Sequence, residues 1–316
     1  MNTHFSDQYH RPYLMGFSIV IIFIFHIWSF ALIYDNFNIP IMGNIFECGY
    51  FGVDIFFFLS TYGLTCSINK NPIKLFYKNR FSRIIPIYFV YTLLSLPIFF
   101  IDWNAGTRYF FYNSSITVPN VEWYTPSLLL IYILFPIINK ISKLLARCNF
   151  SIISLFIIVS YTVFFNISLP NANLWHRVPI IFLGCIMYYL EKKNDNNAIC
   201  VLAILALFGT CFVTHSCIDR ITLAIPAALY IVGKANTLPF YRFISFLGKW
   251  SFEIYLAQVI ATKYFMKIYN GNIVLEIIYV VLITIVLGIF FSLISHYYKR
   301  ITQSKRESLV NSSINN

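Results

Sequence analysis

His26 stands within Leu14–Tyr34 (LMGFSIVIIFIFHIWSFALIY), a run without Asp, Glu, Lys or Arg. The run matches the ~20 apolar residues that a bilayer crossing needs. A titratable imidazole is costly at that depth and reads as a functional group with a partner elsewhere. The plainer alternative is a histidine that only hydrogen-bonds a neighbouring helix. A second titratable group, Asp54, lies in GVDIFFFLSTYGLT, where Asp54, Thr61 and Thr65 share one helical face at i, i+7, i+11. Burying a carboxylate is expensive unless it is paired or near water. That face is therefore expected to point into a bundle, the alternative being an Asp at the water boundary that orients loops.

Other segments carry groups suited to anions and sugars. NKNPIKLFYKNRFSRIIP holds Arg80 and Arg83 three apart, with Lys70, Lys74 and Lys78 nearby and no acid. Guanidinium forks grip phosphate oxygens two at a time, so the segment suits an anionic cofactor. Its ordinary reading is a basic loop touching lipid headgroups. VEWYTPSLLLIYILFPI places Glu122, Trp123 and Tyr124 at the head of an apolar run. Aromatic residues there usually anchor at the membrane interface, and beside an acid they can also stack on a sugar ring. In LGKWSFEIYLAQVIAT, Ser251, Tyr255, Gln258 and Thr262 align as a polar stripe, while Glu253 projects elsewhere. Such a stripe either ties helices together, at about 0.6 to 2 kcal/mol per contact, or lines a cavity.

The elements that must position these groups follow from composition. The 316 residues are 59% hydrophobic and 19% aromatic, with only 11% charged, against about 25% charged in a soluble domain; the mean hydropathy is +0.70. The chain is read as an all-α, polytopic membrane bundle. Apolar runs place helices near 14–34, 50–68, 84–101, 124–139, 151–169, 178–190, 198–214, 221–233, 244–266 and 273–297. Residues 1–298 are expected to form one transmembrane domain, and 299–316 a polar, basic, frayed tail. The first apolar run is expected to stay as an anchor rather than be cleaved. The seven cysteines show no metal-ligand spacing and read as small core residues, so no metal is expected.

With the amino terminus in the cytosol, only Arg108, Arg177, Arg220, Lys263 and Lys267 fall on the outer side. The remaining eighteen of 23 basic residues (23 − 5) fall inside. This positive-inside bias places both termini in the cytoplasm. The net charge of +11 is topological, and nucleic acid is not an expected partner because the charges are spread over short loops. His26, about 18 Å from Leu14 along a helix, lies past mid-membrane, while the arginines lie at the inner face. Two functions fit that layout: a transferase using a phosphorylated donor from inside, or a proton-coupled carrier with His26 and Asp54 as its relay.

The segments FIFHIW, FGVDIFFFLSTYGL (51–64), RFSRIIPIYFVY (80–91), EWYTPSLLLIYILFPI (122–137), HRVPIIFLGCIMYY (176–189) and WSFEIYLAQ (250–258) resemble acyltransferase family 3. These are integral membrane, acyl-CoA-dependent O-acyltransferases of bacterial surface polysaccharides. The resemblance covers nearly the whole chain. It implies a catalytic His26, Asp54 at the acidic position of the GVD motif, and Arg80 and Arg83, with Lys78, binding the acyl-CoA. It also implies transfer, usually of acetyl from cytosolic acetyl-CoA, to a carbohydrate or glycolipid hydroxyl in a bacterial cytoplasmic membrane. Glu122, Trp123, Tyr255 and Gln258 are the expected acceptor contacts, with membrane lipid around the bundle. Asp54 is expected to orient or electrostatically support His26. Three positions depart from the family pattern: Met15 replaces an arginine eleven residues before the histidine, Thr61 a glycine, and Gln258 a common histidine. Arg11, four residues before Met15, could substitute only if the first helix starts differently.

Overall fold

The computed structural model describes residues 10–35, 49, 51–101, 123–165, 172–193, 240–268 and 273–314. Among them every regular element is a helix, as the sequence requires. The helices are α1 (His10–Asp35), α2 (Phe51–Lys70), α3 (Ile73–Ile101), α4 (Tyr124–Leu145), α5 (Phe150–Phe165), α6 (Ala172–Trp175), α7 (Val178–Lys192), α8 (Tyr241–Lys249), α9 (Ser251–Ile268) and α10 (Ile273–Ile314). Four segments are long and apolar enough to cross a membrane: Arg11–Trp28, Phe51–Lys70, Tyr124–Leu145 and Val274–Arg300. The spans expected at 198–214 and 221–233 lie outside the described residues.

Three elements differ from the sequence reading. α3 begins at Ile73, so the basic cluster sits on the helix itself and not on a loop before it. The span expected at 244–266 is two helices, α8 and α9, separated by a turn at Trp250; the polar run of Gly248, Lys249, Ser251 and Glu253 around it was the local mark of the break. The tail expected to fray continues as helix to Ile314. No proline or glycine follows Gly288 in the sequence to interrupt it.

The chain forms two compact units: Met1–Ile73 with Thr107–Lys249, and Lys74–Gly106 with Trp250–Asn316. In the first, α2 is the centre, packed by α1, α4 and α7. Fourteen residues of α2 are buried, from Phe51 through Thr65. Its approach to α1 is made by glycine: a Cβ at Gly52 would lie 2.5 Å from the Ser18 carbonyl oxygen, and one at Gly49 would meet that of Ile21. Pairs of small residues let two backbones come this close in a membrane. The same device joins α1 to α8, where Gly16 faces the Ile244 carbonyl and Gly248 that of Pro12.

In the second unit α9 packs on α10. Val280, Thr284, Phe291 and Ser295 are buried on α10, in register with Gly288. Gly288 looks onto Ile254 and Ala257. The opposite face of α10, including Leu275, Leu282, Ile289 and Leu293, is exposed. In a bilayer such a face meets lipid tails at no hydrophobic cost, since the tails are as apolar as leucine.

Candidate functional site

α1 begins at His10, four residues before the apolar run, and this start defines two chemical positions on the helix. Arg11 falls within its first turn, one turn below Met15. Its guanidinium lies across Gly63 of α2, where an added Cβ would sit 2.7 Å from the nearest nitrogen. A basic group thus stands at this end of α1 although the expected slot holds methionine. Farther along, Phe25 meets Gly49, two residues before α2. His26 follows by one position, so it lies beside the α2-facing stripe rather than on it. The imidazole packs on the Phe25 ring, centroids 5.7 Å apart. Its Nδ1 is buried with no hydrogen-bond partner among the described residues.

Asp54 occupies the other side of α2. Gly52 faces α1, and a residue two positions later is turned about 200° away, so the Asp54 carboxylate projects toward α7. There Oδ1 forms an ion pair with Arg177 Nε at 2.8 Å, both side chains being buried. Arg177 is the N-cap of α7, with proline in the first helical positions after it. Its guanidinium carbon also sits 4.7 Å from the centroid of the Trp123 ring, at the head of α4. Around this pair the rings of Phe57 and Tyr124 are 5.1 Å apart, and those of Phe57 and Trp123 6.0 Å. The Oγ1 of Thr125 and the Oδ2 of Asp54 are buried without hydrogen-bond partners among the described residues.

The polar stripe below Asp54 has a packing role. Thr61 and Thr65 are fully buried, as the sequence reading expected of that face. Thr61 Oγ1 bonds the Phe57 carbonyl at 2.9 Å, and Thr65 Oγ1 the Thr61 carbonyl at 2.8 Å. Gly184 of α7 admits Thr61: a Cβ there would meet Thr61 Oγ1 and the Phe58 carbonyl. Toward the far end of α2, Tyr62 donates to the Glu191 carboxylate. Beyond it Asn69 donates to Tyr189 at 2.9 Å, and Tyr189 donates to Asn139 of α4 at 2.9 Å.

The second unit carries the remaining expected residues. Arg80 and Arg83 lie one turn apart on α3, Arg80 partly buried, Arg83 and Lys78 exposed. On α9, Ser251, Tyr255, Gln258 and Thr262 are all buried. Thr262 turns its hydroxyl back onto the Gln258 carbonyl at 2.8 Å, whereas the Gln258 amide has no hydrogen-bond partner among the described residues. Glu253, which the sequence set apart from the stripe, is as deeply buried at 1% exposure. It falls in the first turn of α9, where the helix dipole favours an anion. Glu122 lies outside the described residues.

Sequence reading therefore found Asp54 and Trp123 but not the residue that joins them. Arg177 had been counted only as an outer-loop cation. The signal available was an arginine two residues before Pro179, at the start of a helix.

A family model described as an acyltransferase domain, of acyltransferase family 3, matches residues 13–297. No curated protein and no solved structure matches the chain. A match of that extent takes in α1 with His26, α2 with Asp54, the head of α4 and the start of α7. The chain belongs to acyltransferase family 3 and is a membrane-embedded acyltransferase.

Proposed function

We propose that the protein transfers an acyl group, acetyl being the expected cargo, from cytosolic acyl-CoA to a hydroxyl of a cell-surface or lipid-linked carbohydrate in a bacterial cytoplasmic membrane. The observation that carries this reading is the buried Nδ1 of His26, without a hydrogen-bond partner among the described residues, on a helix apolar enough to span a bilayer, in a chain of an acyltransferase family. A neutral imidazole nitrogen is what alcohol activation needs. In the step proposed, His26 takes the proton of the acceptor hydroxyl as the oxygen attacks the thioester carbon. The carbon–sulfur bond then breaks, and the imidazolium returns its proton to the departing CoA sulfur. The ester and free CoA thiol are the products.

Arg80 and Arg83, one turn apart, bind the CoA phosphates with Lys78 adding charge. Trp123 and Glu122 contact the sugar, and Tyr255 and Gln258 supply hydrogen bonds to the reactants. Asp54 supports the site from the far face of α2, through its pair with Arg177. It is a positioning residue. No metal enters this reaction.

Membranes containing the protein should release CoA thiol from acetyl-CoA when a glycan acceptor is added. His26→Ala should abolish this release, a loss of about 10²–10⁴-fold for a missing general base, at an unchanged protein level. Full activity in that variant would reject the assignment.

A further inference from the structure

Three side chains from three parts of the first unit meet around one cation. Asp54 comes from α2, Trp123 from the residue before α4, and Arg177 from the residue before α7. Asp54 and Arg177 are almost wholly buried, at 1% and 6% exposure, while Trp123 is half-buried. Resting on the proposed acyl transfer to a sugar, we infer that Arg177 is the positioning residue of the acceptor site and that this site takes an uncharged pyranose.

The argument has two parts. First, the guanidinium lies over the indole, an attraction that grows as water is excluded. Asp54 fixes the guanidinium in turn, so the Trp123 ring has a set orientation although it belongs to a connection between helices. A fixed aromatic plane with part of its surface outside the protein is what the apolar face of a sugar ring stacks on. The buried Phe57 and Tyr124 rings pack behind that plane and support it. Second, the positive charge of Arg177 is matched by the Asp54 carboxylate at 2.8 Å. The pair is neutral, so an acidic sugar gains no net counter-charge from it and would lose its own hydration. An uncharged pyranose loses little.

The test separates this inference from the function on which it rests. Arg177→Gln alone would leave Asp54 buried and unpaired, so the working variant is Asp54→Asn with Arg177→Gln, a neutral pair of similar shape. Acrylamide quenching of Trp123 fluorescence, taken as the difference from a Trp123→Phe background, needs no substrate. It should increase in the double variant and stay near wild type in Arg177→Lys, which keeps a cation. Unchanged quenching in the double variant overturns the positioning role. With acetyl-CoA and methyl pyranosides as probes, the double variant should raise the acceptor KM about thirtyfold, the size of one desolvated cation–π contact, and leave the donor KM unaltered. Equal changes in both KM values, or a preference of the wild type for methyl glucuronide over methyl glucoside, overturn the acceptor assignment. If the wild type acylates no pyranoside, the proposed function fails and takes the acceptor half of this inference with it. The quenching result still decides what Arg177 does to Trp123.

Discussion

At the scale of single residues, burial separates the roles of the charged groups. Asp54 and Arg177 are both out of water, so each stabilises the protein only while the other is present. Removing one partner of a buried pair costs about 3–5 kcal/mol, far more than replacing both by groups of similar shape. Asp54→Ala and Arg177→Ala should each lower the melting temperature in detergent strongly. Asp54→Asn with Arg177→Gln should lie much nearer wild type, and additive losses would show that the pair is not coupled. Arg80 and Arg83 differ, since Arg83 is exposed and Arg80 partly so. Arg80→Ala with Arg83→Ala should change the stability by no more than about 1 kcal/mol. It should raise the KM for acetyl-CoA about a hundredfold or more, as two charge-assisted bonds of about 1.5–3 kcal/mol each are lost. Saturation curves for the donor decide this, and an unaltered KM removes the phosphate-binding role. His26, Asp54 and Trp123 were legible because titratable and aromatic residues stand out in apolar sequence. The Arg177 partnership was not, because pairing between segments more than a hundred positions apart leaves no local mark.

At the scale of elements, spacing told which face of a helix is buried but not what it is buried against. The Asp54–Thr61–Thr65 face was expected to point inward, and all three residues are buried. That it meets α7 depends on Gly184, whose missing side chain is the space Thr61 fills. Gly184→Ala places a methyl against Thr61 Oγ1 and against the Phe58 carbonyl, 2.6 Å from the added carbon. Overpacking of this kind costs about 1–3 kcal/mol. Combining it with Thr61→Gly should recover part of the loss, because the hydroxyl is gone but the Phe58 carbonyl remains. Thermal unfolding of the four proteins in the cycle measures this; complete recovery would mean that the backbone contact costs nothing. The packing of α8 on α1 escaped the sequence for a related reason. α8 is held in place by Gly16 and Gly248 lying against backbone carbonyls, a tertiary fit that neither hydropathy nor period expresses.

At the scale of the whole molecule, composition was enough for the class, since every described element is a helix and four segments can cross a membrane. Orientation rests on charge. α10 has 42 residues, about 63 Å of helix, twice the ~30 Å of a bilayer core. Its candidate span ends at Arg300, so the helix from Ile301 onward continues beyond the crossing on the Lys299–Arg300 side. From the excess of eighteen basic residues over five we expect that side in the cytosol. A fluorescent-protein fusion after Asn316 should therefore be bright, and an alkaline phosphatase fusion at the same place inactive. Replacing Lys299, Arg300, Lys305 and Arg306 by glutamine leaves fourteen (18 − 4) inside charges against five outside. Because orientation is set by the summed bias near the span ends rather than by one loop, the two reporters should give the same pattern in that variant. An active phosphatase in the unmodified chain would reverse the orientation and put Arg80 and Arg83 on the side away from cytosolic acyl-CoA.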